Sequence, residues 1–261
     1  GQEEAVDICP SGCRYNSIQQ AINASSSGTT LRIGAGTFNE SLTLRPGISL
    51  LGTGPASTIV RGNGSQPVVF ATDGNIGRST VVEGVGITGG GGQTGAGMHL
   101  RDASPTLRNL AIYGNNASGS GGGVAVSQSA DPLLDSVTVR NNSAPSGAGL
   151  LLTNQAQATV RNSRFENNSA GSLGGGMMIE NATVVVSGTT LANNSAAYGG
   201  AMSISAATVT LTNCTVQGNR AQQYGGAIRL HGNSQLVVDK CSFIDNRAIQ
   251  YSGGAIVSEQ N

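Results

Sequence analysis

Tryptophan is absent from this 261-residue chain, and aromatic residues make up only 3% of it. Charged residues reach 11%, against about a quarter in ordinary soluble domains. Such a chain covers its surface with Ser, Thr, Asn and Gly. Fourteen basic residues balance fourteen acidic ones, so no excess of positive charge draws it to nucleic acid or to an anionic membrane. No apolar run reaches the roughly 20 residues of a membrane-spanning helix. No basic start with an apolar core marks a secretion signal, which fits a mature chain or one that never carried a signal. The two histidines, His99 and His231, add no Cys/His spacing to the four cysteines, and neither a metal nor a cofactor is expected. No two aspartates are adjacent. The acids are scattered, at Glu83, Asp102, Asp131, Asp135, Glu166, Glu180, Asp239 and Asp245 among others. The clustered carboxylates of a polysaccharide hydrolase, or a calcium-holding set, are therefore not evident.

Glycine is abundant, 40 of 261, and much of it belongs to a tandem repeat of 25–27 residues running from about residue 80 to 261. The repeat is anchored on Asn115, Asn142, Asn168, Asn194, Asn219 and Asn246. Three residues before each stands a large apolar side chain: Ile112, Val139, Phe165, Leu191, Val216 and Phe243. Eight before stand Leu107, Leu134, Val160, Val186, Leu211 and Val238. A glycine cluster follows each asparagine and opens a second apolar pair, such as Met177 and Ile179. A degenerate copy with Val82, Val85 and Ile87 puts Gly90 in the asparagine position. Apolar residues alternate with period two, which marks strands, and the strands are broken by turn residues. A period in the twenties with strand character predicts a solenoid. With one copy per rung, the asparagines stack and their amides form a ladder.

Two regions are expected: residues 1–28, an N-terminal segment with a capping helix, and residues 29–261, the solenoid. Gly1 to Asp7 reads as a frayed acidic start. Ile18, Ala21 and Ile22 share one helix face, Asn16 or Ser17 can cap it, and Gly28 can end it. Cys9 and Cys13 enclose a turn that a short disulfide can close. Cys214 and Cys241 share a repeat column one rung apart, within reach of a second bridge. Asn-x-Ser/Thr sequons at Asn23, Asn39, Asn63, Asn116, Asn141, Asn167, Asn181, Asn193 and Asn213 are candidate N-glycosylation sites. They are equally good turn sequences. With the cysteines, they point to a secreted or cell-surface protein.

Arg108, Asp135 and Arg161 form an outward column, as do Arg140 and Glu166. Both are expected as weak surface ion ladders. His99 and His231 are expected as surface residues without an acid in register. Tyr198, Tyr224 and Tyr251 form a column that can contact a glycan or a protein.

The run Tyr15-Asn16-Ser17-Ile18-Gln19-Gln20-Ala21-Ile22, then Leu31-Arg32-Ile33, Gly36-Thr37-Phe38-Asn39-Glu40 and Ile48-Ser49-Leu50-Leu51-Gly52, resembles the entry of pectin-lyase-like right-handed parallel β-helices. Phe243-Ile244-Asp245-Asn246 and Gly253-Gly254-Ala255-Ile256 resemble the paired F-x-x-N and G-G-A-I repeats of polymorphic outer-membrane proteins. The resemblance implies an all-β right-handed parallel β-helix, with three short strands per rung. That fold carries lyases, hydrolases, epimerases, adhesins and fibres, so it leaves function open. With no catalytic constellation evident, the expectation is a non-catalytic extracellular structural or adhesive glycoprotein, such as a cell-surface protein or a filament subunit. It would associate with itself or with a neighbouring protein through an open edge at Asn261, and glycans are further candidate partners. The alternative is a polysaccharide-active lyase, hydrolase or epimerase.

Overall fold

The computed structural model describes residues 6–251 and 253–259. The chain winds as a parallel β-solenoid with three long sheets, called A, B and C, and a shorter sheet D. Sheet A has ten strands, from Val6–Ile8 to Gln235–Asp239. Sheet B has nine, from Gly36–Asn39 to Ser242–Ile244, and sheet C has nine, from Leu42–Thr43 to Ile256–Glu259. Each rung passes A, B, C and returns to A. Sheet D has five strands, from Ser143–Ser146 to Arg247–Ala248, inserted between B and C. Upper rungs thus carry four strands rather than the expected three. The residues after each upper ladder asparagine are extended and pair with those of the next copy, as Ser143 and Ala144 do with Ser169 and Ala170.

Register follows the repeat columns. Leu107, Leu134, Val160, Val186, Leu211 and Val238 pair in succession on sheet A. Ile112, Val139, Phe165, Leu191, Val216 and Phe243 do so on sheet B. Inward members of these columns are buried through Val216 and form one continuous core. Gln157–Arg161 shows the alternation that produces this, with Ala158 and Val160 buried and both ends exposed.

The asparagine column closes the B side of the core. The side-chain amide of each ladder asparagine donates to the next one's Oδ1, at 3.0 Å for Asn115 to Asn142 and 2.9 Å for Asn219 to Asn246. The same Oδ1 also accepts the backbone N–H of the asparagine below, as Asn194 Oδ1 does from Asn168 at 3.0 Å. The second amide hydrogen reaches a carbonyl one rung below, such as Val139 for Asn168 at 2.9 Å. Asn115 Oδ1 finishes the column on the N–H of Gly90. No side chain fits at Gly90, where a Cβ would lie 1.8 Å from the Ala96 carbonyl oxygen.

The corners explain the sequons. The residue before each ladder asparagine has a left-handed backbone: Gly114, Asn141, Asn167, Asn193, Gly218 and Asp245 all have positive φ. Asparagine, aspartate and glycine tolerate this conformation best. Asn181 and Asn213 are also left-handed. All nine sequon asparagines are exposed, and turn chemistry alone is enough to place these five.

At the bottom, the helix Ile18–Ala24 buries Ile18, Ala21 and Ile22. Ser17 caps it by accepting the Gln20 N–H, and Glu40 accepts the N–H groups of Ile18 and Gln19. The helix ends at Ser25 rather than at Gly28. The expected frayed start lies outside the described residues at 1–5, while Val6–Ile8 is a strand paired with Thr30–Ile33. The expected open edge at Asn261 also lies outside the described residues.

Replacing Asn168 with Ala removes two hydrogen bonds the side chain donates and leaves the backbone N–H and one side-chain amide hydrogen of the buried Asn142 without an acceptor. The expected loss is about 3 kcal/mol, read as a lower urea midpoint. Exposed Asn167→Gly should change it little, because glycine accepts the same backbone angles.

Candidate active site

Sheet A presents the charged column expected from the sequence, but its charges are paired. Arg161 binds Asp135 at 2.9 Å, Arg108 lies 3.4 Å from Glu83, and Arg78 binds Asp131 at 2.8 Å. Burial works against ionising Asp135, but hydrogen bonds from Arg161, Asn162 and Ser136 outweigh it and hold the carboxyl below its usual range. Arg140 does not pair with Glu166 through a hydrogen bond, although the two are in register. Glu166 is taken by Arg164 at 3.1 Å, and Arg140 lies over the Tyr113 ring at 4.8 Å. Among the described residues, no group of three or more His, Cys, Asp or Glu side chains is placed to hold a metal.

Cys9 and Cys13 form a disulfide, with Cα atoms 5.6 Å apart. Cys214 and Cys241 are free thiols, which corrects the expected second bridge. In-register stacking translates one side chain onto the next by about 4.8 Å, whereas a disulfide needs Cβ atoms about 3.8 Å apart. Instead each sulfur lies within reach of a backbone carbonyl, Thr212 for Cys214 at 3.4 Å and Asp239 for Cys241 at 3.3 Å.

The three tyrosines do stack. Tyr198 and Tyr224 have ring centroids 6.2 Å apart, and Tyr224 and Tyr251 are 4.8 Å apart. Their faces are turned toward one another, so the stack offers edges and hydroxyls more than open rings. Arg229 lies 4.6 Å over the Tyr198 ring and is held by Glu259. His231 does have an acid in register, contrary to expectation: Glu259 pairs with it across the strands and lies 3.9 Å from its Nδ1.

Sheet C carries the least neutralised chemistry. Its outward residues form a floor of Phe70, His99, Ala125, Leu151 and Met178, in register on successive rungs. Ala125, Leu151 and Met178 pack into a small apolar cluster of their own. Arg101 stands two residues along from His99 on the same face of the strand Met98–Arg101, about 6.6 Å away by strand geometry. Both line an open pocket of about 490 Å³ with Ser120, Ser127, Thr153 and Glu180. The expectation of His99 as a simple surface residue is corrected. It is half-buried and stacks on Phe70 with centroids 6.3 Å apart. Burial pushes its pKa below the ordinary histidine value, the nearby Arg101 charge adds to this, and a hydrogen bond with the Thr94 backbone partly opposes it. Arg101 is 59% exposed and pairs only loosely with the exposed Asp102, at 3.7 Å. A neutral imidazole thus sits beside a solvent-exposed guanidinium. The i, i+2 spacing of His99 and Arg101 was a signal in the sequence; the pocket around them was not.

The description "Right handed beta helix region" matches residues 47–197 and 170–261. The chain belongs to this right-handed β-helix family. No curated protein matches it in sequence. Solved structures match its fold at low identity. Pectate lyase Pel9A has a TM-score of 0.61 at 12% identity, over 99% of this chain and 79% of that one. The alginate lyase from Paenibacillus sp. str. FPU-7 has 0.52 at 14%, over 92% and 95%. Pectin methylesterase from carrot has 0.51 at 12%, over 100% and 90%. At such identities the likeness establishes a shared fold. It also corrects the expectation of a non-enzyme: β-helices superposable on nearly this whole chain are named for catalysis, so a surface of scattered charges does not argue against it.

His99 should titrate below the ordinary histidine midpoint of about 6.5, measured by the pH dependence of its imidazole NMR signals. The unfolded chain then binds that proton more readily than the folded one. Stability should therefore fall as pH drops through the histidine range, and His99→Gln should flatten that dependence.

Proposed function

We propose that this right-handed β-helix protein is a polysaccharide-active enzyme acting outside the cell on a uronate-containing polymer by β-elimination. The observation that carries this is the neutral, half-buried His99 beside Arg101 on the floor of an open groove. β-Elimination needs a base for the proton next to the uronate carboxyl and a cation to offset the charge that develops there. His99 has the environment of the base, because an imidazole kept neutral can accept a proton near pH 7. Arg101 can face the carboxylate, which makes the adjacent proton more acidic. When His99 takes the proton from C5, the electron pair of the broken C5–H bond forms the C4–C5 double bond and the C4–O4 bond breaks. The departing oxygen takes a proton from water, which the open groove admits. Leu151 and Met178, nearly buried and packed with Leu173, form a firm apolar wall at the edge of the groove.

Support for the substrate class comes from the fold's neighbours, whose names refer to pectate, alginate and pectin. Support for an extracellular place comes from the nine exposed sequons and the Cys9–Cys13 bridge. Sheet A is less suited, because its arginines are already neutralised by Glu83, Asp131 and Asp135.

Incubation with polyuronates should release unsaturated ends, seen by ultraviolet absorbance. His99→Gln should lower kcat by about 10²-fold or more, as loss of a general base does, and Arg101→Ala should lower kcat/KM. Saturated reducing ends, or activity unchanged in both variants, would refute the β-elimination.

A further inference from the structure

Beside the His99 pocket lies a larger trough of about 770 Å³, formed where sheet C turns into sheet A. Gln128 and Asn154 line both, so the two concavities are continuous. The trough is built by the rungs themselves. Gln128, then Asn154 with Gln155, then Asn181 occupy left-handed corner positions on three successive copies, with φ between 47° and 65°. These three corners deliver side-chain amides to the same side of the molecule, and the next one carries Ala206. Gln157 adds a fifth from the start of a sheet A strand. Among the described residues, none of these five amides is hydrogen-bonded to another protein group. The remaining lining is serine, threonine and alanine, with no charged side chain.

That lining has a consequence for what can lie in it. A sugar hydroxyl both donates and accepts, and so does a primary amide. A carboxylate only accepts, and here it would meet amide oxygens as well as N–H groups, with no cation to offset its desolvation. The His99 pocket differs, because Arg101 supplies that cation. We infer that the trough is a binding subsite for uncharged sugar residues, and that the polymer this protein takes alternates uronate with neutral sugars. The uronate lies at Arg101 and the neutral residue next to it lies over Gln155 and Asn181. This rests on the assignment of the His99 pocket for the position of the uronate, while the trough itself is defined by its own residues.

The test is equilibrium binding by titration calorimetry, using His99→Gln protein made in a bacterial host so that Asn181, a sequon, carries no glycan. The probes are polygalacturonate and a polymer alternating galacturonate with rhamnose. The alternating polymer should bind more tightly. Adding Gln155→Ala and Asn181→Ala should cost about tenfold in its affinity while leaving polygalacturonate unchanged. Both replaced side chains are exposed, and Ala206 already occupies a left-handed corner in the same trough, so an unchanged circular dichroism spectrum, with a midpoint lowered only by the cost of alanine at such positions, should confirm the fold. Equal or tighter binding of polygalacturonate, no effect of the two replacements, or binding of neither polymer would overturn the inference. Turnover of the two polymers by unmutated protein is read separately. A preference in binding with no unsaturated product would support the trough and sink the role given to His99.

Discussion

Everything in this molecule depends on stacking identical columns at the spacing of a parallel sheet, about 4.8 Å, and the buried asparagine ladder holds that spacing at the sheet B corner. Asn115, Asn142, Asn168, Asn194 and Asn219 are at most 1% exposed. Buried amides at that depth are costly unless every hydrogen finds an acceptor. The ladder meets this by pointing each Oδ1 at two N–H groups of the asparagine below and each second amide hydrogen at a carbonyl one rung away. A rung that slipped by one residue would break the column and turn the inward apolar residues toward solvent. Register, core and corner geometry are thus parts of one constraint.

The same translation decides what each surface column can become. Side chains repeated one rung apart lie parallel. Cys214 and Cys241 therefore sit side by side without bonding, and Tyr198, Tyr224 and Tyr251 hide their faces in each other. Opposite charges one rung apart neutralise one another, as Asp135 and Arg161 do on sheet A. The pattern changes where a column is broken by an unlike residue. His99 interrupts an otherwise apolar floor, and Arg101 stands in a column that continues as Ser127 and Thr153. Neither has an opposite charge directly above it to cancel its chemistry.

The repeat, the inward columns, the ladder and the position of Gly90 were all legible in the sequence, because each is a statement about periodicity. What periodicity does not contain is which outward columns meet around a groove. Sheet D shows the limit: residues such as Ser143 and Ala144 look like turn sequence, and only their pairing with Ser169 and Ala170 makes them a strand. Glu259 answers His231 for the same reason, through a register between strands far apart in the chain. His99 was visible as a residue. Its half-burial against Phe70 comes from a copy in which the repeat is degenerate. The amide trough was hidden by its own regularity, since Asn154 and Asn181 read as corner residues, which they also are.

On the function proposed above, sheet C rather than sheet A receives the polysaccharide. A crystal structure of the His99→Gln protein with a bound uronate-containing oligosaccharide tests it most directly. The account predicts a sugar beside Leu151 and Met178 with its carboxylate at the Arg101 guanidinium. An oligosaccharide lying instead along sheet A, with its carboxylate displacing Asp135 from Arg161, would contradict it.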